Sequence, residues 1–239
     1  MKTPFDTFRN VALAAVFAAT TGLASAASTV QSEEPVKLLT ARFAPRQVVQ
    51  VEVGDFRFKP GQIAPVHTHD APAIGYVSKG MIIYQVEGGK PQILRAGDAF
   101  YEPTGVRILR FDNASATEEA IFFDFNLEQV NEPFIVFEED PKVPIDRRTL
   151  PTTKLDGRSI DQAEVFSTKV APDGSFDLVS EEPIFGLVAE GVVEVRIDGK
   201  ASTRIAVGGT FALPTYGHQA TITNTSGEVP ANVITFQLN

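Results

Sequence analysis

Hydrophobic positions along this chain fall in short runs and alternations, not at helical spacing. Residues 48–58 (VVQVEVGDFRF) alternate, and residues 120–127 (AIFFDFNL), 132–139 (EPFIVFEE) and 232–238 (NVITFQL) are dense in β-branched and aromatic side chains. Residues 81–89 (MIIYQVEGG) and 192–200 (VVEVRIDGK) are β-rich runs that end in turn residues. Apolar side chains at every second position suit a strand with one buried face, and Gly, Pro, Asn and Asp close each run with a turn. Turn signals recur every eight to twelve residues, and no long segment has helical periodicity. The pattern predicts an all-β protein of sandwiches or barrels.

The pattern also repeats. Shifted by 111 residues, 67–115 align with 178–226 without a gap. Identical pairs include Gly75/Gly186, Gly80/Gly191, Gly97/Gly208, Phe100/Phe211, Pro103/Pro214 and Asn113/Asn224. Gly and Pro dominate these pairs, so a backbone path is repeated more than a surface. The expected organisation is a first barrel over residues 27–134, a Pro- and charge-rich connection over 135–160, and a second barrel over 161–239.

Residues 1–26 are set aside from the fold. Lys2 and Arg9 precede the apolar run VALAAVFAATTGLA, and the small residues Ala24 to Ala26 fit a cleavage site. This is the layout of a secretory signal peptide, with an uncut membrane anchor as the alternative. Periplasmic or secreted localisation follows, with no membrane contact after signal removal. The 239 residues carry a net charge of -9 and no Lys/Arg cluster, which argues against a nucleic-acid partner. The chain has no Cys and no Trp, which excludes thiolate catalysis, iron–sulfur clusters and cysteine-bound zinc. No P-loop, dinucleotide fingerprint or G-x-S-x-G elbow is present.

Two of the three histidines, His67 and His69, stand one residue apart. With Gly61 before them and Gly80 after, they fit G-x5-H-x-H-x3,4-E-x6-G, and Gly97, Pro103 and Gly105 fit the start of G-x5-P-x-G-x2-H-x3-N. Through these two motifs, in this order, the chain resembles the cupin superfamily, and through the repeat it resembles a bicupin. The resemblance implies two tandem double-stranded β-helix barrels of jelly-roll type. It also implies a divalent metal held by three His and one Glu, and here the chain departs from the family. The Glu position falls on Ala73 and the last His position on Ile108. In the second repeat the four positions fall on Leu178, Ser180, Ile184 and Gln219, and His218 aligns with Arg107.

On a strand, residues i and i+2 share a face, so His67 and His69 present two imidazoles together. Two His alone are a weak site; two His and a carboxylate are the least to look for. Glu102 is the candidate third ligand, because it shares a face with Phe100 where the second repeat has Leu213 and Phe211. Its alternatives are a strand-end carboxylate that reaches water or pairs with an arginine. Tyr76, Tyr101 and Arg107 are candidate substrate-binding residues. Three functions stay open. The first barrel binds Mn, Fe, Ni, Cu or Zn and acts on a small organic substrate as a dioxygenase, decarboxylase, isomerase or lyase. Alternatively it binds a sugar or organic acid without metal, or the chain is a structural bicupin with no active site. The expected partner is a small-molecule ligand, and the resemblance is compatible with a homo-oligomer.

Overall fold

The computed structural model describes residues 32–239 apart from Ser180. The expected signal peptide, residues 1–26, lies outside the described residues. Among the described residues every regular element is a β-strand. The first half holds β1 (Val36–Phe58), β2 (His67–Thr68), β3 (Ala73–Lys79), β4 (Met81–Val86), β5 (Gln92–Arg95), β6 (Ala99–Glu102), β7 (Ile108–Asn113) and β8 (Ala120–Glu128). Two short strands follow, β9 (Val136–Phe137) and β10 (Asp146–Thr149). The second half holds β11 (Thr153–Val170), β12 (Ser175–Val179), β13 (Ile184–Glu190), β14 (Val192–Ile197), β15 (Thr203–Ala206), β16 (Thr210–Leu213), β17 (Gln219–Asn224) and β18 (Ala231–Leu238).

These strands make two barrels that share one sheet. A nine-stranded sheet runs β16-β13-β18-β11-β1-β8-β3-β6, with β10 also on β1. The first barrel is closed by the five-stranded sheet β5-β4-β7-β2-β9 and the second by the four-stranded sheet β12-β17-β14-β15. The long strands β1 and β11 pair antiparallel at the join: Val36 faces Ser167 at one end and Val51 faces Thr153 at the other. Each barrel thereby lends part of its first strand to the other's sheet.

Strand alternation sorts the side chains of the shared sheet. On β8, Phe123, Phe125 and Leu127 belong to the core between the barrels, with Ile74 and Tyr76 of β3 and Phe185, Ile234 and Phe236 of the second half. Phe125 and Phe236 stack there with ring centroids 4.0 Å apart. The opposite face of β8, Phe122, Asp124, Asn126 and Glu128, turns into the first barrel. Phe122 joins Phe56, Phe58, Phe100 and Phe111 in that barrel's core. The second barrel has its own core around Val188, Val193, Phe211 and Ile222.

The repeat is visible as paired construction details. Gly75 and Gly186 lie under the rings of Phe100 and Phe211, and a Cβ at either position would strike the ring. Asn113 Nδ2 donates to the carbonyls of Phe58, Lys59 and Glu118, and Asn224 Nδ2 donates to those of Val170, Ala171 and Val229. Their Oδ1 atoms accept from the backbone N–H of Ser115 and Ser226.

Residues 135–160, expected to be a connection from their Pro and charge content, carry short strands of their own. Val136 and Phe137 pair with β2, Asp146 to Thr149 pair with β1, and β11 begins at Thr153. The apolar residues Ile135, Phe137 and Ile145 in this stretch pack on the first barrel and line its interior, which is why the segment is ordered against the sheet. We refer to residues 134–147 as the strap.

Candidate metal centre

His67 and His69 enter the first barrel from β2. His67 pairs in register with Ile108 of β7 and Phe137 of β9. Glu102 ends β6 and stands directly opposite Ala73 of β3. All three side chains are buried, with exposures of 3 % for His67, 1 % for His69 and 1 % for Glu102. One ligand atom from each lies within 4.8 Å of the others, so the three could hold a metal ion. Ala73, where the resemblance places the motif's glutamate, faces Glu102 across the two strands. Directly opposed residues on a sheet face have Cβ atoms about 5 Å apart, so a carboxylate supplied by Glu102 reaches much the same region. No such substitution replaces the distant His: Ile108 is fully buried apolar packing.

Hydrogen bonds orient both imidazoles. His67 Nδ1 is 2.9 Å from the Pro65 carbonyl and His69 Nδ1 is 2.8 Å from the Phe134 carbonyl. A carbonyl only accepts, so each Nδ1 carries a proton. In the neutral ring Nε2 is then a lone pair. His69 Nε2 lies 3.0 Å from Glu102 Oε2, and His67 Nε2 lies 3.6 Å from Oε1. Two acceptors facing each other at that distance repel unless a proton or a cation stands between them. Apart from these contacts, Nε2 of His69 and Oε1 of Glu102 are buried without a hydrogen-bond partner, a donor set that a cation would satisfy. A backbone carbonyl on the far nitrogen of a ligating His is the usual outer support of such a ring.

Without metal, protons take the same place. Burial opposes a charged His67 or His69, but the charge of Glu102 and its hydrogen bonds outweigh burial, and both histidines are pushed up from their ordinary value. Burial likewise opposes an ionised Glu102, and the histidines, with the charge of His69 foremost, outweigh it and pull the carboxyl down.

Asp124 is a neighbour that sequence reasoning missed. It lies on the inner face of β8, in register with Gly75, and is 3 % exposed. Its Oδ1 has no hydrogen-bond partner. Burial raises its carboxyl well above the ordinary range and the charge of Glu102 raises it further, against the pull of His69 and Arg147. A signal existed: Asp124 is a lone acid with Phe on both sides, in a strand whose two faces are both buried. Asp124, His67 and Glu102 share a cavity of about 20 Å3 walled by Phe56, Phe122 and Phe137 among others. That is room for one water molecule, for which about 10–15 Å3 suffices.

The three substrate-side candidates lie elsewhere. Tyr76 alternates with Gly75 and Tyr101 with Glu102, so both point away from the site, toward the core between the barrels. Arg107 is on the surface, where it pairs with Glu87 and Glu138. Asp70 is exposed beside the site. In the second barrel His218 pairs with Asp198 at 2.7 Å on the surface. There Leu213 faces Ile184 where Glu102 faces Ala73, and Thr235 faces Gly186 where Asp124 faces Gly75. Ser180, one of the four aligned positions, lies outside the described residues.

Comparison with known proteins follows this geometry. A family model described as "Cupin domain" matches residues 54–126, which span β2 to β7 and most of β8. No curated protein matches the chain. Among solved structures, AerE from Microcystis aeruginosa is similar with a TM-score of 0.59 and 17% identity, covering 87% of this chain and 97% of that one. The salicylate 1,2-dioxygenase of Pseudaminobacter salicylatoxidans is similar with a TM-score of 0.56 and 13% identity, covering 79% and 71%. Vicilin from Capsicum annuum is similar with a TM-score of 0.63 and 13% identity, covering 80% and 76%. At these identities the likeness is one of fold.

Proposed function

We propose that the first barrel, whose residues 54–126 match a cupin domain, is a mononuclear divalent-metal centre acting on a small organic substrate. His67, His69 and Glu102 hold the ion, and the second barrel buttresses the first. One observation carries the reading: both Nδ1 atoms are committed to backbone carbonyls, which aims both Nε2 lone pairs at the one buried carboxylate. Two His and one carboxylate with open positions are the donor set of non-haem iron oxygenases. Ferrous iron is therefore the first candidate, and oxygen-dependent oxidation the first reaction class, ahead of decarboxylation, isomerisation or lysis. A bound ion would supply a Lewis acid or an oxygen-binding centre.

The chain's own residues set the terms for a substrate. The aromatic walls exclude bulk water, and the strap roofs the site through Ile135, Phe137 and Ile145. The cavity of about 20 Å3 holds a water-sized species, and the strap is the element that would have to move to admit an organic substrate. The signal-peptide pattern supports export, which fractionation of expressing cells would test.

The test is metal titration of stripped protein by calorimetry with Fe(II), Mn(II), Ni(II), Cu(II) and Zn(II). One equivalent is expected, abolished in the double variant His67→Ala, His69→Ala. Failure of every metal to bind would overturn the reading. It would favour a second one, in which His67, His69 and Glu102 form a proton-bridged ion network that orders the barrel mouth without metal. The short His69–Glu102 separation and the raised histidines support that alternative.

A further inference from the structure

We propose that Asp124 is a positioning residue that holds the single solvent molecule of this cavity against the metal-binding group. The inference rests on the metal reading above and extends it to a residue outside the donor set.

Four observations carry it. The cavity has room for one water and little more. A buried water needs two to four polar partners, and the walls are aromatic or aliphatic except at His67, Glu102 and Asp124. Asp124 Oδ1 is buried without a hydrogen-bond partner, and Glu102 Oε1 has only the 3.6 Å approach of His67 Nε2. Leaving a buried carboxylate oxygen unpaired is unfavourable, so two such oxygens on one small cavity point to a solvent partner common to both. Finally, room for the Asp124 side chain is made by Gly75, since a Cβ there would strike Oδ1. The second barrel keeps the glycine but has Thr235 opposite it and Leu213 in place of Glu102. The acid and the metal-binding carboxylate are thus present together in one barrel and missing together in the other.

The role differs from ligation. Asp124 is not within the 4.8 Å group of ligand atoms formed by His67, His69 and Glu102. Both it and Glu102 line the cavity.

Cobalt(II) is the probe, because its visible absorption reports the number and kind of groups around the ion without any turnover. The full chain and its Asp124→Asn, Asp124→Leu and Asp124→Thr variants are loaded with Co(II), with uptake measured by calorimetry. Asn keeps the length and hydrogen-bonding capacity of Asp, so its cobalt spectrum is expected to match that of the wild type. Leu has a similar shape and no polar atom, so one equivalent should still bind while the visible bands move and change intensity. Thr copies the second barrel and ends one bond short of the cavity, so it should reproduce the Leu spectrum, and it decides the matter should Leu fail to fold. A Leu or Thr spectrum superimposable on the wild type overturns the proposal. So does loss of cobalt binding by a folded Leu or Thr variant, which would make Asp124 a direct ligand. If the wild type binds no cobalt, the metal reading itself falls and this proposal with it, whereas binding with unchanged spectra removes only the role of Asp124.

Discussion

At the scale of single residues, the site is a competition between protons and a cation for the space among His67, His69 and Glu102. Metal must displace the protons that Glu102 keeps on the raised histidines, so apparent affinity should rise as pH rises from 5 to 8. Calorimetry in two buffers of different ionisation enthalpy would count the protons released. Stability of the metal-free chain should move the other way. A His raised in the folded state contributes stability that is fully present below its unfolded value near 6.5 and is lost as pH rises through the folded value. Asp124, also raised, acts in the same direction, and the gain from the lowered Glu102 is complete by about pH 4.5. Metal-free protein should therefore melt lower at pH 8.5 than at pH 6. Glu102→Leu copies Leu213 of the second barrel. It should reduce metal affinity at least about 100-fold, because a ligand is lost outright. Its metal-free stability at pH 6, where the raised histidines are charged, should fall by about 3–5 kcal/mol, since removing one partner of a buried ion pair strands the other. A variant that binds metal normally would remove Glu102 from the donor set.

At the scale of elements, the strap joins access to ligand orientation. Its Phe134 carbonyl accepts from both His69 Nδ1 and Asn126 Nδ2, and Phe137 meets the His67 ring edge-on at 5.8 Å. Arg147 fastens it, with its guanidinium 3.7 Å from the centre of the Phe134 ring and an ion pair to Glu52. Arg147→Ala should cost about 1–2 kcal/mol and speed metal release, as followed by transfer to a chromogenic chelator. Faster hydrogen exchange should appear in residues 134–146 and not in the second barrel. An unchanged release rate would mean that the strap does not gate the ion. Sequence reading foresaw strands here and in the barrels, because period-two runs closed by Gly and Asn signal them locally. It foresaw Glu102 because the repeat supplied Leu213 as a contrast at the same position. It did not foresee that residues 135–160 roof the site, since Pro and charge resemble a solvated connection and two-residue strands leave no periodicity. It left Tyr76 and Tyr101 as candidates for the pocket beside a core reading, because an aromatic on a sheet buried on both faces carries no mark of which core it joins.

At the scale of the whole molecule, the shared sheet ties the candidate metal site to a barrel that has none of the aligned metal-ligand residues among its described residues. The inner and outer faces of β8 serve different masters: Asp124 lines the site, while Phe123 and Phe125 pack against the second barrel. Displacing β8 to relieve a defect on one face therefore moves groups on the other. Phe236 is the test, because it is fully buried in the second half and stacks on Phe125 without touching the first barrel's interior. Truncating a buried Phe to Ala costs about 3–5 kcal/mol. If the barrels fold as one unit through the β1–β11 pairing, Phe236→Ala should lower the urea midpoint of the entire chain. Cobalt release and loss of far-ultraviolet dichroism should remain coincident in a single transition. Two separated transitions, with cobalt retained through the first, would show that the first barrel stands alone and that the second contributes nothing to holding the ion.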